Sequence, residues 1–341
     1  SKVLERSGSP AKLRPHVKTH KCREIVRMEL ERGILKHKCA TVAEAEMLAL
    51  CRTPDVLISY PVVGPNQARL ARLMEKYPDT RFSVLVDHPD PARRLSEVMT
   101  TSGKTIDALI DLNVGMNRTG IGVGDGAEEL YRSFAKLPGL RPDGFHVYDG
   151  HNNQESIEER KSLVENLLGP VFELRRKLEM EGVPVPRVVC GGTPAFPVYA
   201  KLDFPGLECS PGTFVLHDNG YGSKYPDLAG FTAAALLLTR VVSKPGGNRL
   251  TLDLGYKAVC ADPPVGKRCL VLGVGDYSHV LQSEEHLVIE TAQAARFSPG
   301  DAVLAIPSHV CPTVAMHRSA YIIESGKCVG SWDIAARDRV L

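Results

Sequence analysis

Chemistry is concentrated first in Leu13-Arg14-Pro15-His16-Val17-Lys18-Thr19-His20-Lys21, where three cationic side chains, two histidines and a threonine share nine positions. A solvated basic run would not hold Pro15 and Val17 among its charges. Strand alternation puts His16, Lys18 and His20 on one face, and Val17, Thr19 and Lys21 on the other. A lysine at the mouth of a parallel strand, partly desolvated and crowded by cations, gives up its proton more readily and becomes a nucleophilic amine. Such amines most often hold pyridoxal phosphate, PLP. A basic phosphate-binding patch with no covalent role accounts for the same nine residues, and both readings stay open on this stretch alone.

Other groupings bear on the same question. Gly191-Gly192-Thr193-Pro194 follows an apolar run. Glycines there free backbone N–H groups to surround an anion, and Thr193 adds a hydroxyl. Ser210-Pro211-Gly212-Thr213 is a second small-residue turn that would complete such a cradle. A plain tight turn is the alternative for each. In Pro307-Ser308-His309-Val310-Cys311-Pro312-Thr313, His309 and Cys311 are two apart. In extended chain both point the same way and suit one metal ion. On spacing alone, a buried histidine beside an ordinary cysteine is the better account.

The elements that must position these groups follow from length and pattern. A chain of 341 residues has room for one large domain and a smaller one. The formal net charge of +2 gives no global reason to expect nucleic acid or a membrane surface as partner. No apolar run reaches the roughly 18 residues of a transmembrane helix. Ser1-Lys2-Val3-Leu4-Glu5-Arg6 does not read as a signal peptide, and nine cysteines without pairwise spacing suit reduced thiols in a cytoplasmic protein.

From Lys18 to about residue 211, short apolar runs alternate with amphipathic segments. Strands are expected at 33–40, 55–60, 82–87, 106–112, 144–148 and 186–190, with helices between them and a long one over about 155–181. Thr41-Val42-Ala43-Glu44 has the pattern of a helix cap. Repetition of this kind implies parallel strands, and the absence of a dinucleotide fingerprint after the first strand favours a TIM-like (β/α)8 barrel over an open sheet. Barrel sites lie at the C-terminal strand ends. The candidates there are Lys18, Thr41, Tyr60, Asp87, Asn113, Arg118, Tyr148, His151, Thr193 and Ser210. After about residue 219 helical patterns vanish. Strands at 232–242, 249–253, 269–274, 286–291, 302–306 and 320–323, punctuated by Gly246-Gly247, Gly275-Asp276, Pro299-Gly300 and Gly326, give a mostly antiparallel β domain. The expected division is 10–218 and 219–341.

Arg14-Pro15-His16-Val17-Lys18-Thr19-His20-Lys21 resembles the PLP-lysine motif of the D-threonine aldolase and D-serine dehydratase family, which has a barrel of the alanine racemase type. The resemblance covers both halves of the chain. It implies that Lys18 carries PLP, with His16 beside it, and that Gly191, Gly192, Thr193 and Ser210 surround the phosphate. Gly115-Met116-Asn117-Arg118-Thr119-Gly120 is similar to the Met-Asn-Arg-x-Gly segment of alanine racemases, which would aim Arg118 at the cofactor's phenolate oxygen. Tyr148-Asp149-Gly150-His151 resembles the family's Tyr-x-Gly-His turn, so that Tyr148 or His151 would pack on or bond the cofactor. The family also holds a divalent metal with a His-x-Cys or His-x-Asp pair. Here the pair would be His309 and Cys311, and a thiolate favours zinc over manganese or magnesium. Such a site requires the loop after the 302–306 strand to fold over the PLP. Family members usually begin one strand–helix unit earlier, so the chain is expected to lack that unit before residue 10; its strand would belong to the sheet of the smaller domain, leaving that β domain short of one strand. A homodimer is the expected assembly.

Two outcomes follow from one such site. Loss of the β-hydroxyl proton breaks the Cα–Cβ bond, which is aldol cleavage of a β-hydroxy-D-amino acid. Loss of the α-proton to Lys18 expels the hydroxyl, which is dehydration of the D-serine or D-3-hydroxyaspartate kind. Overall texture is closest to the aldolases, whereas the cysteine at the second metal position is more like the dehydratases. A racemase needs a second base, and none is evident. A non-catalytic PLP carrier would lack the β domain, and a PLP-free sugar or phosphate barrel would show no yellow absorbance band.

Overall fold

The structure, a computed structural model, describes residues 1–338. It divides into two compact units, one over Ser1–Gly212 and one over Thr213–Arg337.

The first unit is a parallel barrel. Its strands are β1 (Lys36–Cys39), β2 (Asp55–Pro61), β3 (Arg81–Val86), β4 (Ile106–Asn113), a two-residue β5 (Ile121–Gly122), β6 (Leu140–Val147), β7 (Val188–Cys190) and β8 (Leu207–Cys209). Neighbours run β1-β2-β3-β4-β6-β7-β8, all parallel, with β5 on β4. The eighth stave is Leu13–His16. It makes parallel bridges from Leu13 to Cys209 of β8 and from His16 to Lys38 of β1, which closes the ring. Strands buried on both sides read as near-continuous apolar runs, as in Ala108-Leu109-Ile110.

Helices between the strands begin where their capping groups lie. Thr41 Oγ1 accepts from Glu44 N at 3.1 Å, and Pro65 and Pro89 each stand at a first turn. The long helix runs Ile157–Met180 from a Ser156 cap. Leu57, Leu85, Leu109 and Val189 meet inside the barrel. Beneath them a charged floor closes the N-terminal strand ends. Arg14, fully buried, pairs with Asp55 at 2.8 Å and with Glu208. Arg187 joins Asp55 at 3.1 Å and also holds Asp143, which Arg81 reaches at 2.7 Å. Burial pushes the Asp55 carboxyl up, but Arg14 overrides it and holds it at about 2.

The nine-residue stretch differs from the strand expected. Its extended part ends at His16, and Val17–Thr19 is a turn of 3-10 helix. Two-fold alternation therefore does not extend through Lys18. A stave of four residues reaches the rim of a small barrel, and the chain then turns along it.

The second unit holds β9 (Leu237–Ser243), β10 (Arg249–Leu252), β11 (Cys269–Val271), β12 (Ser278–Gln282), β13 (Leu287–Glu290) and β14 (Ala302–Pro307) in one antiparallel sheet, ordered β11-β14-β9-β10-β13-β12. A hairpin of β15 (Ser319–Glu324) and β16 (Lys327–Asp333) stands apart. Val241, Leu250, Leu252, Val271, Ile289 and Val303 belong to the core of the six-stranded sheet. Helix does not vanish here: Asn219–Lys224 and Val310–Met316 are helical. Each is under two turns long, too short to leave a periodic signal. Their starts are fixed by one side chain, because Asp218 accepts from Tyr221 N at 2.9 Å and from Val310 N at 3.0 Å.

Candidate active site of the barrel

The C-terminal strand ends gather most of the expected residues. Lys18 is half-buried on the 3-10 turn, and its ammonium makes no hydrogen bond or ion pair among the described residues. Lys21, by contrast, is paired with Glu44. His16 is buried. Its Nδ1 accepts from Lys18 N at 3.3 Å, and its Nε2 lies 3.4 Å from Ser59 Oγ. Burial, with Lys18 and Lys38 nearby, drives the His16 pKa well below the usual imidazole range, so the ring is neutral.

The small-residue turns converge. Gly191 has φ +70°, and a Cβ there would lie 2.7 Å from the Tyr199 ring. Thr193 Oγ1 accepts from Gly212 N at 3.0 Å, which ties the first turn to the second. A Cβ at Gly212 would lie 3.0 Å from His16 O. Ser210 is buried, and its hydroxyl has no partner. An orphaned hydroxyl beside two glycine turns has the donor set that a phosphate requires. These residues therefore fit PLP.

Tyr148 packs over Gly150 and Gly192, with a Cβ at Gly192 falling 3.3 Å from its ring. Arg118 is exposed, its Cζ 4.9 Å from the Tyr148 ring centroid. Asn113 shapes that turn: Oδ1 accepts from Gly115 N and Asn117 N, each at 3.1 Å. Asp87 accepts from Gly120 N at 3.0 Å. His151 lies beneath Gly115, where an added Cβ would be 2.8 Å from Nε2. Three strand-end candidates thus have framework roles: Thr41 caps a helix, while Asn113 and Asp87 hold the Arg118 turn. Tyr60 is exposed and outside the group.

Residue-type reading missed the centre of the cluster. Lys38 on β1 is buried, its Nζ 3.1 Å from His146 Nε2 on β6. His146 Nδ1 lies 2.6 Å from Asp111 Oδ1 on β4, and Thr119 Oγ1 donates to Asp111 Oδ2 at 2.8 Å. Burial, then the charge of Lys18, lowers the Lys38 pKa to about 7. Burial alone would raise the Asp111 pKa, but His146 and Lys38 hold it below the ordinary value. A lysine in mid-strand, on a barrel's inward face, was the available signal.

In the second unit, His309 precedes the Val310–Met316 helix and Cys311 lies inside it. The extended-chain geometry expected for the pair is therefore absent. A hydrogen bond from Cys311 nevertheless raises the His309 pKa to about 9, with Asp262 on Nδ1 adding to it. Among the described residues, no group of three or more His, Cys, Asp or Glu side chains is arranged to hold a metal ion.

The fold and the paired turns are those of a barrel that carries its site at the strand C-termini and takes a phosphorylated cofactor there. Residues 1–216 match the alanine racemase N-terminal domain, and residues 234–323 the putative serine dehydratase domain. The chain belongs to the family of the alanine racemase N-terminal domain. It is 29% identical to D-threonine aldolase from Arthrobacter sp., over 95% of this chain and 85% of that one. It is 27% identical to 3-hydroxy-D-aspartate aldolase of Paracoccus denitrificans, over 96% and 85%. A crystal structure of D-threonine aldolase from Filomicrobium marinum is 28% identical and superposes with a TM-score of 0.91, covering 99% of this chain and 92% of that one.

Proposed function

We propose that the chain is a PLP- and metal-dependent lyase for β-hydroxy-D-amino acids, of the D-threonine aldolase type, yielding glycine and an aldehyde. The observation that carries the reading is the unpaired Lys18 amine at the barrel mouth, in a chain alike over nearly its whole length to D-threonine aldolase. PLP, when bound, supplies an electron sink for charge at the substrate α-carbon.

The chain's own residues do the rest. Lys18 offers the nucleophilic nitrogen. His16, neutral and bonded to the Lys18 backbone, orients the turn that carries it. Gly191, Gly192, Thr193 and Ser210 hold the phosphate by backbone and hydroxyl donors. Arg118 supplies positive charge for a phenolate oxygen, and Tyr148 a ring face. His151 is assigned to the same wall. His309 and Cys311 would hold the divalent ion, zinc before manganese or magnesium given the thiolate, and such an ion supplies Lewis acidity. The fitting assembly is a homodimer.

A dehydratase, forming ammonia and a keto acid, is the second reading. Cys311 at the second ligand position and the serine dehydratase domain over residues 234–323 favour it. Incubating the protein with PLP and D-threonine or D-serine, with and without chelator, decides between them. Glycine plus aldehyde supports the aldolase, and ammonia plus keto acid the dehydratase. Chelator-resistant racemisation alone would overturn both.

A further inference from the structure

Asp111, His146 and Lys38 form one hydrogen-bonded chain across β4, β6 and β1. Asp111 Oδ1 is 2.6 Å from His146 Nδ1, so Nδ1 carries the proton and Nε2 is left as acceptor. Lys38 Nζ, 3.1 Å away, is therefore the donor. Among the described residues Lys38 makes no ion pair. Its Nζ stands 5.6 Å from the Tyr148 ring centroid, and Arg118 flanks the same ring.

Every neighbouring element contributes to its charge balance. His16 faces it from the closing stave and Lys18 from the 3-10 turn after it, Arg118 from the turn after β4, His146 and Tyr148 from β6 and its end, and Cys190 from β7. Asp111, one imidazole away, is the acidic group that favours the ammonium; Lys18, Arg118 and burial oppose it. The charge of Lys18 disfavours a proton on Lys38.

We propose that Lys38, tied through His146 to Asp111, is a positioning residue that sets the charge beside Tyr148 and Lys18 and so tunes the cofactor held there. The inference rests on the PLP reading and names a residue outside the Lys18 motif as its electrostatic control.

Two measurements on the full chain test this. In cofactor-free protein with carbon-labelled lysine, NMR should show one Cε signal titrating near neutrality. That signal should be missing in Lys38→Met and shifted in His146→Gln. If it persists in Lys38→Met, or if no lysine titrates below the ordinary range, the inference is overturned. With PLP bound, the visible band of the wild type should change in one step near neutrality. Lys38→Met and Lys38→Arg should both bind PLP and both lose that step, the first fixed neutral and the second fixed charged. A neutral step that ignores residue 38 overturns the inference. A wild type that develops no visible band overturns the PLP reading itself, a separate result that leaves the NMR measurement to decide the Lys38 network.

Discussion

One activated lysine was expected at the barrel mouth, and two lysines, Lys18 and Lys38, stand there. Lys18 is accessible and unpaired, whereas Lys38 is buried and bonded to an imidazole. Access favours Lys18 as the covalent residue. Borohydride reduction of the PLP-loaded protein, followed by peptide mapping, should put the pyridoxyl group on Lys18, and Lys18→Ala should lose at least about 10³-fold in activity. A label on Lys38 or Lys21 would end the assignment. His309→Ala should abolish lyase turnover and leave the PLP absorbance unchanged. A variant with full, chelator-resistant activity would remove the metal from the reaction. Tyr148 and Arg118 were legible because their motifs are local. His146 and Asp111 were not, because their meaning comes from His146 facing Lys38 across 108 residues of chain and Asp111 across 35.

At the scale of elements, the strands were legible wherever an apolar run was bounded by turn residues. The run around Ile106–Asn113 became β4 with one residue added at its end. The short closing stave and the Val310–Met316 helix were not, since neither is long enough to show its period. Gly144, in β6, marks a register shift against β4. Its φ is +127°, and a Cβ there would lie 2.0 Å from the Arg187 carbonyl oxygen. Gly144→Ala should therefore destabilise the barrel by about 3 kcal/mol, measured by urea unfolding, because both dihedral and close approach require glycine. A loss under about 1 kcal/mol would show that β6 moves away easily.

At the scale of the molecule, charge is buried at both ends of the barrel and is treated differently. The floor keeps its ions paired. Asp143→Ala leaves buried Arg187 and its partner Arg81 without that carboxylate, and should cost about 3–5 kcal/mol. The mouth keeps histidines neutral. Burial holds the His20 pKa at about 4, below its unfolded value. The unfolded chain thus binds more protons than the native one between about pH 6.5 and 4, and stability falls as pH falls through that window. His20 alone contributes up to about 3 kcal/mol of this fall. His20→Asn should flatten the dependence of unfolding free energy on pH there, and an unchanged slope would clear His20 of the role.

The sequence by itself determined the class of fold, since strand–helix repetition followed by antiparallel runs allows few architectures. It also determined the local motifs, because a glycine turn or a Tyr-Asp-Gly-His segment fixes its own geometry within a few residues. Tertiary structure alone decided which groups share a site. The ring closes by bridging Leu13 to Cys209 and His16 to Lys38. Only that closure brings a mid-strand lysine beside a histidine and an aspartate from two other strands. Burial depth and neighbouring charge set how readily each gives up its proton, and both are properties of the assembled barrel rather than of any segment.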